Sequence, residues 1–384
     1  MLRFDFRKRW ARLLKKLTSL VDRVLAASSN EERFQWMEAI REVRSNLLEK
    51  RQSEDQGEQQ SALSLKSFEL LKLIGQGSFG KVILARQIST GEISAMKVLR
   101  KKDIIARKEL SHLKTEAHVL QKIRHPFLTT ATYMFQTKNH LCIGMEYLIG
   151  GDMFSLLNRA RRFTETRASF YAAEVSLGIG FLHSQHIIYR DLKLENVLLD
   201  EYGHIRIADF GLCKENISFE DSAKTFCGTP EYLAPEVIDS EEYGRAVDWW
   251  SVGVLIYQMV TGKMPFHGDR EKVMKEILRK EPYIPDIVSV VAKDIIHRLM
   301  EKSPKYRLGG GVNDIEDVKP HPFFSSINWR RLELKEVPPP WQPVVKSTDD
   351  TSHFDEEFTS QPILLTPPNS ETEFISEDDP FAEF

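Results

Sequence analysis

The chain has 384 residues, of which 41% are hydrophobic and 28% charged, and its formal net charge at pH 7 is −3. This length fits about two to three units of 100–150 residues, and the composition excludes collagen-like, mucin-like and wholly disordered chains. The net charge gives no general attraction for nucleic acid, and no apolar run reaches the roughly 20 residues needed to span a bilayer.

Cysteine usage indicates a reducing compartment. Cys142, Cys213 and Cys227 are the only cysteines of the sequence, and their spacing fits neither a disulfide framework nor a zinc site. The N-terminus has no signal-peptide core, because its apolar residues alternate with Arg and Lys. We therefore expect a cytoplasmic protein.

Residues 1–50 are predicted to be a basic, amphipathic helical segment. Residues 1–27 contain eight Lys or Arg and two Asp. Apolar residues recur there at helical spacing: Trp10, Leu13, Leu14, Leu17, Leu20, Val21 and Val24. The pattern suits an acidic membrane surface or an acidic groove such as that of calmodulin, and equally a helix packed on its own protein or on a second copy. Peripheral membrane attachment therefore stays an open alternative.

The next segments predict a linker followed by two lobes. Residues 51–67 are mostly polar and lack apolar periodicity, so we interpret them as a linker. Three β-rich runs, Phe68–Ile74, Val82–Gln87 and Ile93–Leu99, predict an antiparallel sheet. Helical patterns dominate after about residue 152, for example Thr164–Ser184 and Ala246–Thr261. We expect an α+β chain with a small sheet lobe, a larger helical lobe and a nucleotide between them.

A glycine-rich turn joins the first two predicted strands. Gly75, Gly77 and Gly80 form a GxGxxG pattern that continues to Val82. Glycines allow backbone N–H groups to approach phosphates, since no Cβ stands in the way. A dinucleotide-binding unit would need a helix at the third glycine, and a β-rich run follows instead. A plain glycine hairpin remains the alternative for this segment alone.

Lys97 lies on the third predicted strand, where strand alternation would direct its ammonium group into a cleft. Such a lysine could pair with phosphate oxygens if a carboxylate oriented it. Glu116, in the helical stretch Lys108–Ile123, is the best candidate and Glu109 the second. An ordinary surface lysine is the alternative.

A group of ordered motifs is far more specific. Asp191, Lys193 and Asn196 lie within the run Tyr189–Asn196, and Asp209-Phe-Gly and Ala-Pro-Glu236 follow along the chain. Four such motifs in this order have a negligible probability of arising by chance, so fold-stabilising turns alone do not explain them.

These motifs resemble those of the eukaryotic protein kinase catalytic domain. The AGC group of Ser/Thr kinases is the most similar, because Tyr189 replaces the usual histidine of the catalytic loop. Further similarities are Thr225–Glu236, Arg245–Trp250, Phe354–Phe358 and the Thr366-Pro-Pro sequence. Within that group the Akt (protein kinase B) family resembles the chain best, and the protein kinase C-related kinases come next. The resemblance implies a catalytic domain at 68–324 and a C-terminal tail at 325–384.

The resemblance implies transfer of the γ-phosphoryl group of ATP to Ser or Thr hydroxyls, with Mg²⁺ as cofactor. Asp191 would accept the hydroxyl proton, Lys193 would neutralise phosphate charge, and Asn196 and Asp209 would hold the metal ions. The implied ATP site comprises Ile74, Gly75, Gln76, Gly77, Ser78, Phe79, Gly80, Lys81, Val82, Ala95, Lys97, Glu116, Glu146, Leu148, Leu198 and Phe354.

The resemblance also implies regulation by an upstream activating kinase. Phosphate on Thr225 would meet Arg190, Lys214 and His112, and His112 lies one helical turn before Glu116. Phosphorylation there is expected to join the activation loop to the helix carrying Glu116.

Two features of the C-terminus resemble regulatory elements of the same group. Thr366 is a candidate turn-motif phosphosite, with an unmodified, Pro-flanked disordered residue as the alternative. Phe381 and Phe384 form a Phe-x-x-Phe motif of the type that docks on the small lobe. The chain stops at Phe384, so we expect its terminal carboxylate to replace a phosphate and docking to need no phosphorylation.

Substrates with basic motifs are expected. Acids at positions that match the family would face basic residues before the acceptor, above all Arg at position −3: Asp152, Glu195 and Glu231. An apolar pocket for the residue after the acceptor would comprise Phe226, Pro230 and Leu233. Gln258 stands where related kinases usually have Glu, which puts a preference for Arg at position −2 in doubt.

Three further interpretations have less support. A catalytically weak pseudokinase or scaffold would lack the strand lysine, the catalytic acid or the metal acid, whereas Lys97, Asp191 and Asp209 are all present. A membrane adaptor acting through residues 1–27 would explain too little of the chain. Residues 29–43 resemble the last helix of a pleckstrin-homology domain, but strand patterns for the remainder of that domain are missing.

Overall fold

The computed structural model describes residues 63–77, 80–219, 221–364, 380–381 and 384. Residues Ser64–Phe384 form one compact unit. Residues 64–67, the last of the predicted linker, belong to this unit. Leu65–Ser67 form a 3-10 turn, in which Ser67 N donates to Ser64 O at 2.9 Å and Ser64 N donates to Ser67 Oγ at 3.2 Å.

The small lobe is a five-stranded antiparallel sheet with the order β1-β2-β3-β5-β4. Its strands are β1 (Phe68–Gln76), β2 (Gly80–Gln87), β3 (Ile93–Arg100), β4 (Ala131–Gln136) and β5 (His140–Glu146), and its helices are α1 (Lys101–Ala106) and α2 (Leu110–Lys122). The prediction of an antiparallel sheet from the first three runs is confirmed. At Gly80 a side chain is sterically excluded, because a Cβ would stand 2.2 Å from the Val98 carbonyl oxygen.

The large lobe is mainly helical. It contains α3 (Met153–Ala160), α4 (Glu165–Ser184), α5 (Pro235–Ile238), α6 (Ala246–Thr261), α7 (Arg270–Arg279), α8 (Val290–Leu299), α9 (Ile315–Val318) and α10 (Trp329–Glu333), with the short hairpin β6 (Val197–Leu199) and β7 (Ile205–Ile207). The prediction of both long helices is confirmed, and Thr164 caps α4 by accepting from Arg167 N. Helix α6 is buried over nearly its whole length, as expected for the centre of a lobe.

The C-terminal tail packs along the body, as the sequence predicts. Tyr147 Oη donates to Asp350 O at 2.6 Å, and Arg86 pairs with Asp349 at 2.9 Å. Lys72 Nζ donates to Thr351 Oγ1 at 3.2 Å. These contacts hold the tail against β1, β2 and the segment after β5, and the short helix α11 (Glu356–Thr359) lies against β1.

Several predictions concern residues outside those described. They are the N-terminal segment 1–50, most of the linker, Ser78 and Phe79 of the glycine-rich turn, and Thr366. Within the described ranges, no helix has both the length and the apolar content needed to cross a membrane.

Candidate active site

Two lobes contribute the charged centre of the cleft. Lys97 of β3 has its Nζ 2.5 Å from Glu116 Oε1 on α2 and 3.7 Å from Asp209 Oδ1, just after β7. Burial alone would lower the pKa of Lys97, but the two carboxylates outweigh it and raise that pKa. The Lys97 ammonium in turn lowers the pKa of Asp209. The charged forms of Lys97 and Asp209 therefore face each other at neutral pH. Glu116, rather than Glu109, is the partner of Lys97.

The segment carrying Asp209 is fixed by its neighbour. Phe210 is fully buried in the main core, with its ring centroid 5.8 Å from that of Tyr189 at an interplanar angle of 80°. Tyr189 also donates its hydroxyl hydrogen bond to the carbonyl of Ala208. Asp209 has φ of +60°, a conformation that costs free energy in a non-glycine residue and is common at functional sites.

A second acid lies in the loop between α4 and β6. Asp191 Oδ2 accepts from Lys193 Nζ at 2.8 Å and from Asn196 Nδ2 at 3.0 Å, and Oδ1 accepts from Thr229 Oγ1 at 2.9 Å. Lys193 Nζ also donates to Thr229 Oγ1 at 3.0 Å. Asp191 is thus held in one orientation by a cation, an amide and a hydroxyl.

The buried helix α6 holds the backbone of the loop that carries Asp191. Asp248 accepts hydrogen bonds from the backbone N–H groups of Tyr189 and Arg190, both at 2.8 Å. The imidazole of His183 bridges two carboxylates: its Nε2 lies 2.9 Å from Asp248 Oδ2 and its Nδ1 lies 3.0 Å from Asp314 Oδ1. All three side chains are largely or fully buried. Burial alone would lower the pKa of His183, but the hydrogen bonds to both carboxylates outweigh it and raise that pKa to about 9. A buried imidazolium between two carboxylates therefore supports the loop.

An apolar cluster lies beside Lys97. It consists of Ile74, Leu84 and Ala95, with Val82, Tyr147 and Phe354 packed against it. Ala95 lies two residues before Lys97 on β3, so both side chains face the same side of the sheet. The ring of Phe354, from the tail, stacks on that of Tyr147 with centroids 5.6 Å apart. The tail therefore contributes to the wall of the cleft.

The other predicted nucleotide residues lie on strands β1, β2, β5 and β6 and in the segments next to them. Leu148 is buried, Leu198 of β6 is half-buried, and Glu146 at the end of β5 pairs with Arg206 at 3.2 Å. Gly75 and Gln76 end β1, and Gly77 N donates to Gly80 O at 3.0 Å. Lys81 instead donates to the carbonyl of Leu364 in the tail at 3.0 Å, so it is directed to the outer side of the turn.

The segment between Asp209 and Glu236, called the activation segment below, exposes Thr225. The carbonyl of Thr225 accepts from Tyr243 Oη at 2.6 Å, and that hydroxyl accepts from Arg190 Nη1 at 3.0 Å. The Tyr243 hydroxyl therefore bridges the Arg190 guanidinium and the backbone carbonyl of Thr225. Lys214 is exposed, and His112 uses its Nδ1 to bind Glu109 at 2.6 Å.

The predicted substrate-binding acids lie at the start of α3 and in two 3-10 turns. Asp152 caps α3 by accepting from Ser155 N at 2.8 Å. Desolvation raises the pKa of Glu195, and the carboxylates of Asp152 and Asp191 contribute to the same shift, so these acids lie within electrostatic range of one another. Glu231 is half-buried in the 3-10 turn Pro230–Tyr232.

The residues of the predicted apolar pocket differ in exposure, and Gln258 is bound by a tyrosine hydroxyl. Leu233 is buried, Pro230 is half-buried and Phe226 is exposed. Gln258 is buried on α6, and its Oε1 accepts from Tyr232 Oη at 2.6 Å.

The C-terminal phenylalanines lie on the small lobe. Phe381 is only 1% exposed, its carbonyl accepts from Gln136 Nε2 at 3.0 Å, and Lys101 Nζ lies 4.9 Å from its ring centroid. The ring of Phe384 is 6.2 Å from that of Phe381. The structure therefore places the Phe-x-x-Phe motif against β4 and α1.

Some site residues are not identified by the sequence patterns. Thr229 and Asp248 lie inside motifs that resemble the family, so a signal for them is present. His183 and Asp314 belong to no recognised motif, because their role arises from contacts between distant parts of the chain. The same is true of Arg307, whose guanidinium forms two hydrogen bonds of 2.6 and 2.8 Å with the buried carboxylate of Glu236.

Comparison with known proteins identifies family models and relatives that match most of the chain. Residues 68–324 match the protein kinase domain, and residues 345–384 match the protein kinase C terminal domain. The RAC-beta serine/threonine-protein kinase of Homo sapiens is 46% identical over 92% of this chain and 78% of the relative. The RAC serine/threonine-protein kinase of Drosophila melanogaster is 45% identical over 92% of this chain, which spans 63% of that relative's length.

Proposed function

Because the chain belongs to the AGC-type serine/threonine protein kinases, we propose that it transfers the γ-phosphoryl group of ATP to Ser or Thr hydroxyls of protein substrates. One observation carries the proposal. Lys193, which holds Asp191 together with Asn196, also helps to lower the pKa of Asp209, so the Asp191 loop lies within electrostatic range of the Lys97–Glu116–Asp209 group. Catalysis of phosphoryl transfer depends mainly on positioning and charge neutralisation, which such an arrangement supplies.

The residues present fit a nucleotide with magnesium ions. Asn196 donates its amide N–H to Asp191, so its amide oxygen is left as a possible ligand, and its backbone carbonyl accepts from the N–H of Ala208, the residue before Asp209, at 2.9 Å. Amide and carboxylate oxygens are the ligands that Mg²⁺ prefers. When bound, the metal would neutralise charge on the phosphates. A Cβ at Gly77 would meet no described atom within 4 Å, so packing does not require glycine there, as expected if the backbone admits a phosphate.

Each catalytic residue then has a defined task. Asp191 accepts the proton of the substrate hydroxyl and orients that hydroxyl, since its carboxylate is already fixed by three donors. Lys193 supplies positive charge next to the reacting phosphoryl group, and Lys97 supplies it at the α- and β-phosphates. The apolar cluster around Ala95, with Phe354, would sandwich the adenine ring.

Phosphorylation of Thr225 by an upstream kinase is part of the proposal. Thr225 is exposed, and Arg190 is linked to it through the Tyr243 hydroxyl. A phosphate would reach Arg190 and Lys214, and the Nε2 of His112, whose Nδ1 is already oriented by Glu109. The helix carrying Glu116 would thereby be joined to the activation segment.

Thr366 is proposed as a second phosphosite, although it lies outside the described residues. The described tail reaches Leu364, which is bound by Lys81. A cavity of about 220 Å³ beside it is lined in part by Lys81, Arg100 and His140. The positive charges of Lys81 and Arg100 suit a phosphate, whereas burial lowers the pKa of His140 and so favours its neutral form.

We propose substrates with Arg at position −3, because Asp152 and Asp191 both act on the pKa of Glu195, and Glu231 lies two residues after Thr229, which binds Asp191. Gln258 is neutral and bound to Tyr232, so it offers no charge to a second basic residue. We also propose a cytoplasmic setting, in keeping with three free cysteines. Binding of residues 1–27 to a membrane surface or a calmodulin-like partner remains a proposal from sequence alone.

An arrayed peptide library tests the activity and its specificity together. The full chain, with ATP and Mg²⁺, should phosphorylate Ser and Thr peptides, prefer Arg at position −3 and leave Tyr peptides unmodified. After treatment of the chain with an activating kinase, intact-mass analysis and phosphopeptide mapping should locate a phosphate on Thr225. An enzyme that binds ATP with Mg²⁺ in a thermal shift assay but modifies no peptide would contradict the proposal and favour a pseudokinase.

A further inference from the structure

Helix α2 has a second polar contact in addition to the Lys97–Glu116 pair. His118 Nδ1 lies 2.6 Å from Glu215 Oε2 in the activation segment. The side chains of His118 and Glu215 are 44% and 22% exposed, so the pair is partly shielded from water. With Glu215 ionised, the imidazole donates its N–H to the carboxylate.

Glu215 belongs to a rigid part of the large lobe. Its neighbour Lys214 exchanges two backbone hydrogen bonds with Ile188, of 3.0 and 2.9 Å. Ile188 is buried and directly precedes Tyr189, which packs on Phe210. The His118–Glu215 pair therefore connects α2 of the small lobe to backbone that is fixed beside the catalytic loop.

Glu116 and His118 lie on different faces of α2. Residues two apart on an α-helix do not share a face, whereas those three or four apart do. Glu116 is directed at Lys97 on β3, and His118 is directed at the large lobe. Rotation of α2 about its axis would therefore break at least one of the two contacts.

We propose that His118 and Glu215 are positioning residues, whose pair fixes the rotation of α2 against the large lobe and thereby holds Glu116 on Lys97. The inference rests on the proposed kinase function. It differs from the phosphate switch, because the contact needs no modification of Thr225. Partly exposed contacts of this kind contribute modestly, so loss of the pair should lower kcat by about two- to fivefold.

The test compares His118→Ala, Glu215→Gln, the double variant and His118→Arg with the wild-type chain, all in one phosphorylation state verified by intact mass. Each single variant should lower kcat by about two- to fivefold with the KM for peptide unchanged. The double variant should fall no further, and His118→Arg should restore turnover. Glu316→Gln, which breaks an exposed Lys319–Glu316 pair of the same 2.6 Å length, is the matched control and should behave as wild type.

Hydrogen exchange provides a readout that needs no catalysis. Amides of residues 110–122 should exchange faster in His118→Ala and Glu215→Gln than in the wild type and the Glu316→Gln control. Unchanged exchange and unchanged kcat, or additive losses in the double variant, would overturn the inference. If the wild type modified no peptide, the proposed function would fail, while the exchange data would still decide whether the pair holds α2.

Discussion

At the residue scale, the orientation of the Asp191 carboxylate is set by the groups that bind it. Asp191, Lys193 and Asn196 can be selected from the sequence because they occur together in one short motif. Thr229, which holds the other oxygen of Asp191, comes from a segment 38 positions away and becomes a neighbour only in three dimensions. Sequence therefore predicts which groups carry the chemistry, but not every group that orients them.

His183 gives a prediction about stability and pH. Its pKa is about 9 in the folded chain against 6.5 for an unperturbed histidine, so its contribution is fully present below about pH 6.5 and is lost as the pH rises through 9. The free energy of unfolding should fall by roughly 3 kcal/mol over that range. Denaturant titrations of the wild type and His183→Asn check this. An equal pH dependence in the variant would exclude His183 as the source.

Gln258 gives a prediction about specificity. Gln258→Glu places a carboxylate beside Tyr232, where the wild type has a neutral amide. Hydrogen bonds to charged groups contribute about 1.5–3 kcal/mol, so turnover of peptides with Arg at position −2 should rise by about tenfold over peptides with Ala there. Peptide kinetics on matched substrates measure this ratio. Gln258→Met is the control, and an unchanged ratio in Gln258→Glu would show that residue 258 does not face position −2.

At the scale of elements, the long and strongly patterned segments are predictable and the short ones are not. Helix α6 is predicted with its observed bounds, since its length and apolar content leave little choice. Strand β5 is apolar and largely buried, and periodicity cannot distinguish such a short run from a piece of helix. The hairpin of β6 and β7 has three residues in each strand and carries almost no local signal.

The activation segment gives the element-scale prediction. Thr225→Ala removes the site at which a phosphate would bind Arg190, Lys214 and His112, so activity should fall by about two orders of magnitude or more relative to the Thr225-phosphorylated wild type. Kinetics with one peptide, after treatment of both proteins with an activating kinase, measure the effect. Ser222→Ala, at an exposed residue of the same segment, is the control. Turnover of Thr225→Ala equal to the wild type would refute the switch.

At the scale of the whole molecule, the tail is part of the kinase unit. The sequence predicts that the tail packs on the body, and the Phe-x-x-Phe motif indicates where. The sequence does not identify the residues that the tail contacts. Phe381 meets Gln136 and Lys101, and Phe354 meets Tyr147, and these three residues come from separate parts of the chain. Two-lobed architecture thus follows from the order of patterned segments, whereas the docking contacts require the folded chain.

Docking of the tail gives the whole-molecule prediction. Phe381→Ala empties a site in which the ring is 1% exposed, and truncation of a buried Phe costs about 3–5 kcal/mol. The tail should therefore dissociate from the small lobe, and activity should fall by at least about tenfold. Peptide kinetics together with limited proteolysis of the tail detect both effects. Val344→Ala, at an exposed tail residue, is the control, and full activity of Phe381→Ala would argue against a role for docking.

The most direct test of the account is a single-turnover measurement of γ-phosphoryl transfer from ATP with Mg²⁺ to a Ser peptide, in wild type and Asp191→Asn. The variant keeps the size of the side chain but cannot accept the substrate proton, so transfer should slow by about 10²–10⁴-fold while ATP binding is retained. Equal rates of transfer in the two proteins would contradict the assignment of Asp191 and, with it, the proposed mechanism.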